Sequence, residues 1–305
     1  MPLSVVINTK NVAATLERTL QSVEFADEII IVDMQSHDET LEIAREYTDQ
    51  ILDFTDVGFV EPARNFAISQ ASHEWILVVD ADEEIGPKLR QVITNIVQEK
   101  NQDSLPDCFY LPRKNIIFGK WIKKTGWWPD HVLRLFRKNY VEWSDEIHSI
   151  PITKGEVKEL PAQEDLAIIH HNYQSVDQFI SRLNRYTSIQ AEQRLATTAQ
   201  QQITADEVLK RFNNEFLRRL FAQHGIDEGV HGTSLSLLQG MSEAVMMMKV
   251  WEEQGFPEAA TNQSKLQQSL RQSIKELNYW LANWQVGHTS GLTQLYWRVR
   301  RKLMR

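Results

Sequence analysis

The sequence predicts an α/β fold, a mostly parallel sheet with helices on both faces, followed by a helical C-terminal region. Three observations carry this. Four short runs rich in aliphatic and β-branched residues recur early, over residues 3–7, 28–33, 50–54 and 75–82. Stretches with helical spacing separate them, and that alternation marks a parallel sheet covered on both sides. Beyond about residue 175 only helical spacing remains.

The first run, LSVVI, is uncharged and ends at Asn8 and Thr9, as a strand buried on both faces would. Leu16, Leu20 and Val23 then recur at helical spacing within residues 13–23. The second run, EIIIVD, closes on Asp33; Ser36, His37 and Asp38 form a polar turn before a helix over about 39–47. Residues 50–54 are a weaker third strand. Residues 61–71 read as a helix with Pro62 in its tolerant first turn. The fourth strand, over 75–82, runs from WILVV into Asp80, Asp82, Glu83 and Glu84, and a two-residue period puts Asp80 and Asp82 on one face. Pro87 opens a helix through Val97. CFYLPRKNIIF, from Cys108, is strand-like, and the segment after it has no clean period, which in a compact domain usually signals function. Helices follow over 175–201, 205–223, 234–254 and 262–284, with a division expected near residue 170.

The composition narrows the function. A chain of 305 residues, 42% hydrophobic and 24% charged, is globular and holds one large or two modest domains. A net charge of −8 argues against a nucleic-acid partner. A lone cysteine, Cys108, excludes an intrachain disulfide and fits a reducing compartment. The N-terminus lacks a signal-peptide pattern, and no apolar run approaches the roughly 20 residues that span a bilayer. The expectation is a cytoplasmic protein.

Ligands of open parallel sheets bind beyond the carboxyl ends of the strands. Asn8, Thr9, Asp33, Asp80 and Asp82 gather there. Two carboxylates as close as Asp80 and Asp82 repel by about 1 kcal/mol in water and about 4 kcal/mol at an intermediate dielectric. A divalent cation, Mg or Mn, relieves that repulsion; a solvated acidic turn is the plain alternative. The residues after the first strand, NTKNVAATL, contain no glycine, so a phosphate-cradling loop is absent and diphosphate charge would need a metal.

VVINTKNVAATLERTLQSVEFADEIIIVDMQSHDET, followed by ARNFAISQASHEWILVVDADEE, resembles the inverting nucleotide-sugar glycosyltransferases of family two, which have the GT-A fold. The nearer likeness is to bacterial lipopolysaccharide-core β-glucosyltransferases. The resemblance implies a GT-A catalytic domain over 1–170 and a helical region over 171–305. It further implies a UDP-sugar donor, a glycan or lipid-linked acceptor, and a role in cell-envelope polysaccharide synthesis. Asp33 would read the donor nucleotide beside Asn8, Thr9 and Ser36. Arg64, Asn65 and Asp80 would line the donor site, and Asp82 would hold the metal. Where the family reads Asp-Ser-Gly-Ser-x-Asp-Gly-Thr, this chain reads DMQSHDET, with Gln35 and Glu39 in place of both glycines.

Inversion by direct displacement needs a carboxylate to deprotonate the acceptor. Asp130, in WWPDHVLRLFR, is the first candidate by that resemblance; Asp145 and Glu146 are alternatives. Relatives read Val-His-Glu where this chain reads Ile147-His148-Ser149, so the glutamate after the histidine is missing. His170 is a further metal-ligand candidate, weighed against a satisfied polar turn. Arg134 and Arg137 read as sharing one strand face that could meet an anion or simply face solvent. A catalytically inactive nucleotide-sugar-binding or scaffold protein is the alternative function. The final LTQLYWRVRRKLMR is basic and amphipathic, a pattern that suits contact with an anionic membrane surface, and residues 217–221 and 246–248 could add to it.

Overall fold

The computed structural model describes residues 1–144, 151–198, 202–258 and 262–304. The chain divides into two compact units, one of residues 1–117 with 128–172 and one of residues 118–127 with 173–305.

The first unit is a sheet covered by helices. In chain order it contains β1 (Leu3–Thr9), α1 (Ala13–Val23), β2 (Glu28–Asp33), α2 (Thr40–Arg45), β3 (Ile51–Asp53), α3 (Glu61–Gln70), β4 (Trp75–Val78), β5 (Glu83–Glu84) and α4 (Pro87–Gln98). β6 (Cys108–Ile117), β8 (Asp130–Arg137), β9 (Val141–Glu142), β10 (Ile152–Thr153), β11 (Val157–Glu159) and β12 (Ile168–Tyr173) follow, while β7 (Lys120–Trp121) falls in the second unit. The main sheet runs β3-β2-β1-β4-β8-β6-β12-β5, with β11 alongside β6. Its first four strands are mutually parallel, and β8 is antiparallel to β4.

The continuous apolar runs follow from burial on both faces. Val5 and Ile7 of β1 pack with Leu16 and Leu20 of α1 and Leu89 and Ile93 of α4. Val6, between them, packs on the other face with Ala63 and Ala67 of α3. Each such aliphatic side chain contributes roughly 1.5–3 kcal/mol by leaving water.

β4 is shorter than the sequence predicts. It ends at Val78, and the chain turns at once, with the Glu83 amide donating to the Asp80 carbonyl at 2.9 Å. Asp80 and Asp82 therefore do not share a strand face. The turn forms because Glu83 also accepts from the Asp80 amide at 3.0 Å, which takes the backbone of Asp80 out of the ladder. A second irregularity lies in β8. Opposite β6, Phe109 pairs with Leu135 and Tyr110 with Leu133, so Arg134 is an extra, bulged residue.

The second unit is helical, with α5 (Val176–Thr198), α6 (Ala205–Leu217), α7 (Val230–Glu253), α8 (Gln263–His288) and α9 (Gly291–Leu303). Leu217, Leu220 and Phe221 are buried against Trp280 and Trp284, and Met246 and Met247 pack with Ala191 and Val250. Leu217, Leu220, Phe221, Met246 and Met247 are thus core, whereas Met248 is exposed. A Cβ at Gly232 would sit 1.9 Å from the Gly225 carbonyl oxygen. Gly232→Ala is therefore expected to cost about 1–3 kcal/mol, read as a lowered urea midpoint. Among the described residues no helix is long and apolar enough to cross a membrane.

Candidate active site

β1 and β2 run in parallel register, so Thr9 and Asp33 finish their strands side by side. Thr9 Oγ1 donates to Asp33 Oδ1 at 2.9 Å. Ser36 donates its hydroxyl to the same oxygen at 2.6 Å and its amide to Oδ2 at 2.9 Å. Asp33 is buried, and these donors replace the water its carboxylate gave up. The Asn11 amide in turn donates to Ser36 Oγ at 2.9 Å, which fixes the loop against the strand end. Asn8 lies one residue back, and its side-chain Nδ2 is buried with no acceptor among the described residues.

Gln35 sits in this loop at φ +62°, the left-handed region where the resembling family carries glycine. A side chain there costs about 1 kcal/mol. Gln35→Gly is therefore expected to leave stability unchanged or raise it by up to about 1 kcal/mol in urea unfolding. Glu39 has an ordinary φ of −73°, so its position makes no such demand.

The second group forms around the turn after β4. Arg64, on α3, donates to Asp80 Oδ1 at 2.7 Å, and Arg134 reaches both Asp80 Oδ2 and, at 2.8 Å, Glu83 Oε1. Arg113 of β6 bridges Glu83 Oε1 at 3.2 Å and Asp130 Oδ2 at 2.7 Å. Asn115, two residues along the same strand face, donates to Asp130 Oδ2 at 2.9 Å. β8 is antiparallel to β4, so its first residue, Asp130, falls at the carboxyl edge beside these groups. Asn115 Oδ1 faces His170 Nδ1 at 2.7 Å, and His170 Nε2 lies 3.5 Å from Asp82 Oδ1. A continuous chain of contacts thus runs from Arg64 through Asp80, Arg134, Glu83, Arg113, Asp130, Asn115 and His170 to Asp82.

Burial acts to raise the Asp80 pKa, but Arg134, Arg64 and Arg113 outweigh it and hold the carboxyl far below its ordinary value. Burial likewise pushes Asp130 up, and Arg113 with Asn115 reverses this, so Asp130 also lies below the ordinary carboxylate value. The repulsion among the clustered acids, for which the sequence suggested a cation, is largely met by three arginines. For Asp82 and His170 the case differs. Asp130 accepts from the Asn115 amide, so Asn115 turns its carbonyl to His170, a contact that needs a proton on Nδ1. In the neutral ring Nε2 then faces a carboxylate oxygen with its lone pair, an arrangement favourable only with a proton or a cation between them. A histidine oriented through its second nitrogen is the usual form of a metal ligand. Among the described residues no group of three or more His, Cys, Asp or Glu is arranged to hold a metal. These two side chains would supply, among the described residues, part of a shell, which phosphate and water oxygens commonly complete at Mg and Mn sites.

Asn8, Thr9, Asp33 and Ser36 come together, and so do Arg64, Asp80, Asp82, Asp130 and His170. Asn65 points elsewhere, accepting from the Trp143 amide at 3.1 Å and donating to its carbonyl at 2.7 Å. Arg134 and Arg137 are both buried and serve separate partners, Arg137 bonding Glu74 and the Gln102 carbonyl. The expected shared strand face is absent there, because residues three apart on a strand point to opposite sides. Asp145, Glu146 and His148 lie outside the described residues. Glu83, Arg113 and Asn115 escaped the sequence reading. The alternation of Arg113 and Asn115 within an apolar strand was the available signal.

Residues 4–150 match the family model described as Glycosyl transferase family 2. The first unit is a family 2 glycosyltransferase domain. A glycosyltransferase of Rickettsia bellii is 30% identical over 206 residues, 62% of this chain and 66% of that protein. The lipopolysaccharide core biosynthesis glycosyltransferase LpsC of Rhizobium meliloti is 26% identical over 209 residues, 64% of this chain and 72% of its own. Among solved structures, S. aureus TarS 1-349 aligns at a TM-score of 0.42 and 16% identity, covering 84% of this chain and 92% of that one. The glycosyltransferase domain has the expected GT-A class of fold, a mixed sheet with helices, and a helical C-terminal region follows it.

Proposed function

We propose that this glycosyltransferase moves a sugar with inversion from a UDP-sugar to a glycan or lipid-linked acceptor in cell-envelope polysaccharide synthesis. In this reading residues 1–170 carry catalysis and residues 171–305 the helical region. The observation that carries it is the facing pair of Asp82 and His170 at the edge where Asp33 also ends its strand. Asp33, held ready by Thr9 and Ser36, reads the nucleotide, with Asn8 offering an amide without an acceptor. Arg64 and Asp80 line the sugar and diphosphate side. Asp82 and His170 would hold a divalent Mg or Mn ion, which when bound neutralises diphosphate charge and eases its departure. The LpsC likeness supports the cell-envelope assignment.

Asp130 is the proposed base. Arg113 and Asn115 converge on its Oδ2, which keeps the carboxylate ionised and fixes its direction. The same clamp favours a second reading, because a carboxyl held below its ordinary pKa is a weaker base. In that reading Asp145 or Glu146 takes the proton and Asp130 positions the site. Asp130→Asn decides between them. A fall in kcat of about 10²- to 10⁴-fold with donor affinity retained supports Asp130 as base. A loss below about tenfold, with collapse in Asp145→Asn or Glu146→Gln, supports the second reading.

A further inference from the structure

The last helix, α9, is turned inside out. Leu292, Leu295, Tyr296, Val299 and Leu303 recur at i, i+3, i+4, i+7 and i+11, one stripe covering about a third of a helix that advances roughly 100° per residue. In a helix packed on a core that stripe would face inward. Here all five residues are 51–85% exposed, and no residue of α9 is buried. The helix is attached to α8 by its other side. Arg301 donates to Asn283 Oδ1 at 2.8 Å, and Gln294 Nε2 donates to the Val286 carbonyl at 2.9 Å. Polar contacts thus fix α9 while its apolar stripe points to solvent.

The charge around the stripe is equally one-sided. Residues 263–305 hold eight basic groups and one acid, in a chain with 33 basic and 41 acidic residues overall. Arg300 and Lys302 fall on opposite flanks of the stripe, where long side chains can extend while their heads stay in water. Tyr296 lies within the stripe, its ring beneath the Arg300 guanidinium at 5.8 Å. Apolar residues bordered by cations, with an aromatic ring at the boundary, match the interface of an anionic bilayer.

We propose that the outward face of α9 docks on an anionic lipid bilayer, lying in its interfacial plane. Charge complementarity selects this occupant over a second copy, since two such faces would bring Arg300 and Lys302 against their own kind. The proposal stands apart from the catalytic reading.

The test uses the full chain and sucrose-loaded vesicles of phosphatidylglycerol with phosphatidylethanolamine, against vesicles of phosphatidylcholine alone. The protein should sediment with the anionic vesicles only, and release as salt rises from 50 to 500 mM. Val299→Glu with Leu303→Glu should reduce binding at least tenfold, and Arg300→Gln about fivefold. Both variants should keep the parent melting temperature, because the changed side chains are exposed. Absence of wild-type binding, equal binding to both vesicle types, or wild-type binding by the double variant would overturn the proposal. So would light scattering that shows a dimer split by the double substitution. None of these readouts involves donor or acceptor, so failure here leaves the glycosyltransferase reading untouched.

Discussion

Asp82→Asn is expected to abolish metal-dependent donor binding. Calorimetry with a UDP-sugar and Mn²⁺ should show affinity reduced by about 100-fold or more, with the residual binding insensitive to the metal. Asparagine keeps the size of the side chain and removes its charge, so a cation between it and His170 would lose its anionic ligand. His170→Ala should act in the same direction. Asn115→Ala is the sharper comparison. Asn115 touches neither oxygen of Asp82 in the contacts described; it sets which His170 nitrogen carries the proton. Loss of such an orienting group usually costs 10- to 100-fold in metal affinity. If Asp82→Asn leaves metal-dependent binding intact, the metal assignment fails whatever the activity.

Glu83→Ala should be the most destabilising single change at the site, by about 3–5 kcal/mol. Glu83 is fully buried and pairs with both Arg113 and Arg134, which are themselves largely buried. Its removal leaves two guanidinium groups with less negative charge than their burial requires. It also releases the Asp80 amide. Glu83→Gln keeps the shape and can still accept a hydrogen bond, so it should recover part of the loss. A fall in melting temperature of roughly 10 °C for Glu83→Ala is the expected size; a change under 2 °C would show that the arginines find other partners.

Acid should reveal the same network. The Asp80 and Asp130 carboxyls are held below their ordinary value of 3.8, so their contribution to stability is complete above that value. It is lost as pH falls further, through the folded-state values. Glu28 shifts in the same direction: burial raises its pKa, and hydrogen bonds from Ser4 and Ser72 more than offset this. Urea midpoints should therefore change little between pH 8 and pH 5 from these groups, and fall steeply below about pH 4.

The sheet was legible in the sequence because its signal is local. A run such as SVVI carries its own period, and Val5, Val6 and Ile7 alternate between the two cores that the helices on either face complete. The Asp33 pocket was legible for a related reason, since Ser36 lies three residues away in the same loop and Thr9 ends the neighbouring strand. The arginine–carboxylate network was not. Arg134 meets Glu83 across 51 residues of chain, and His170 meets Asn115 across 55. Both contacts depend on antiparallel register, which a single sequence does not print. The early end of β4 was hidden too, because the acceptor that closes its turn is the Glu83 side chain, and nothing in the run WILVVDADEE marks where the ladder stops.

The bulge in β8 separates folding from chemistry in an unusual way. Val132 and Leu135 belong to one core, and Leu133 and Phe136 to the other. With Arg134 left out, the four apolar residues alternate perfectly, and every cross-strand partner of β6 keeps its place. Arg134 is thus surplus to the ladder and present only for Asp80 and Glu83. Loss of one codon could silence the site while sparing the sheet's pairing, a single-step route from an enzyme to an inert relative of the same shape.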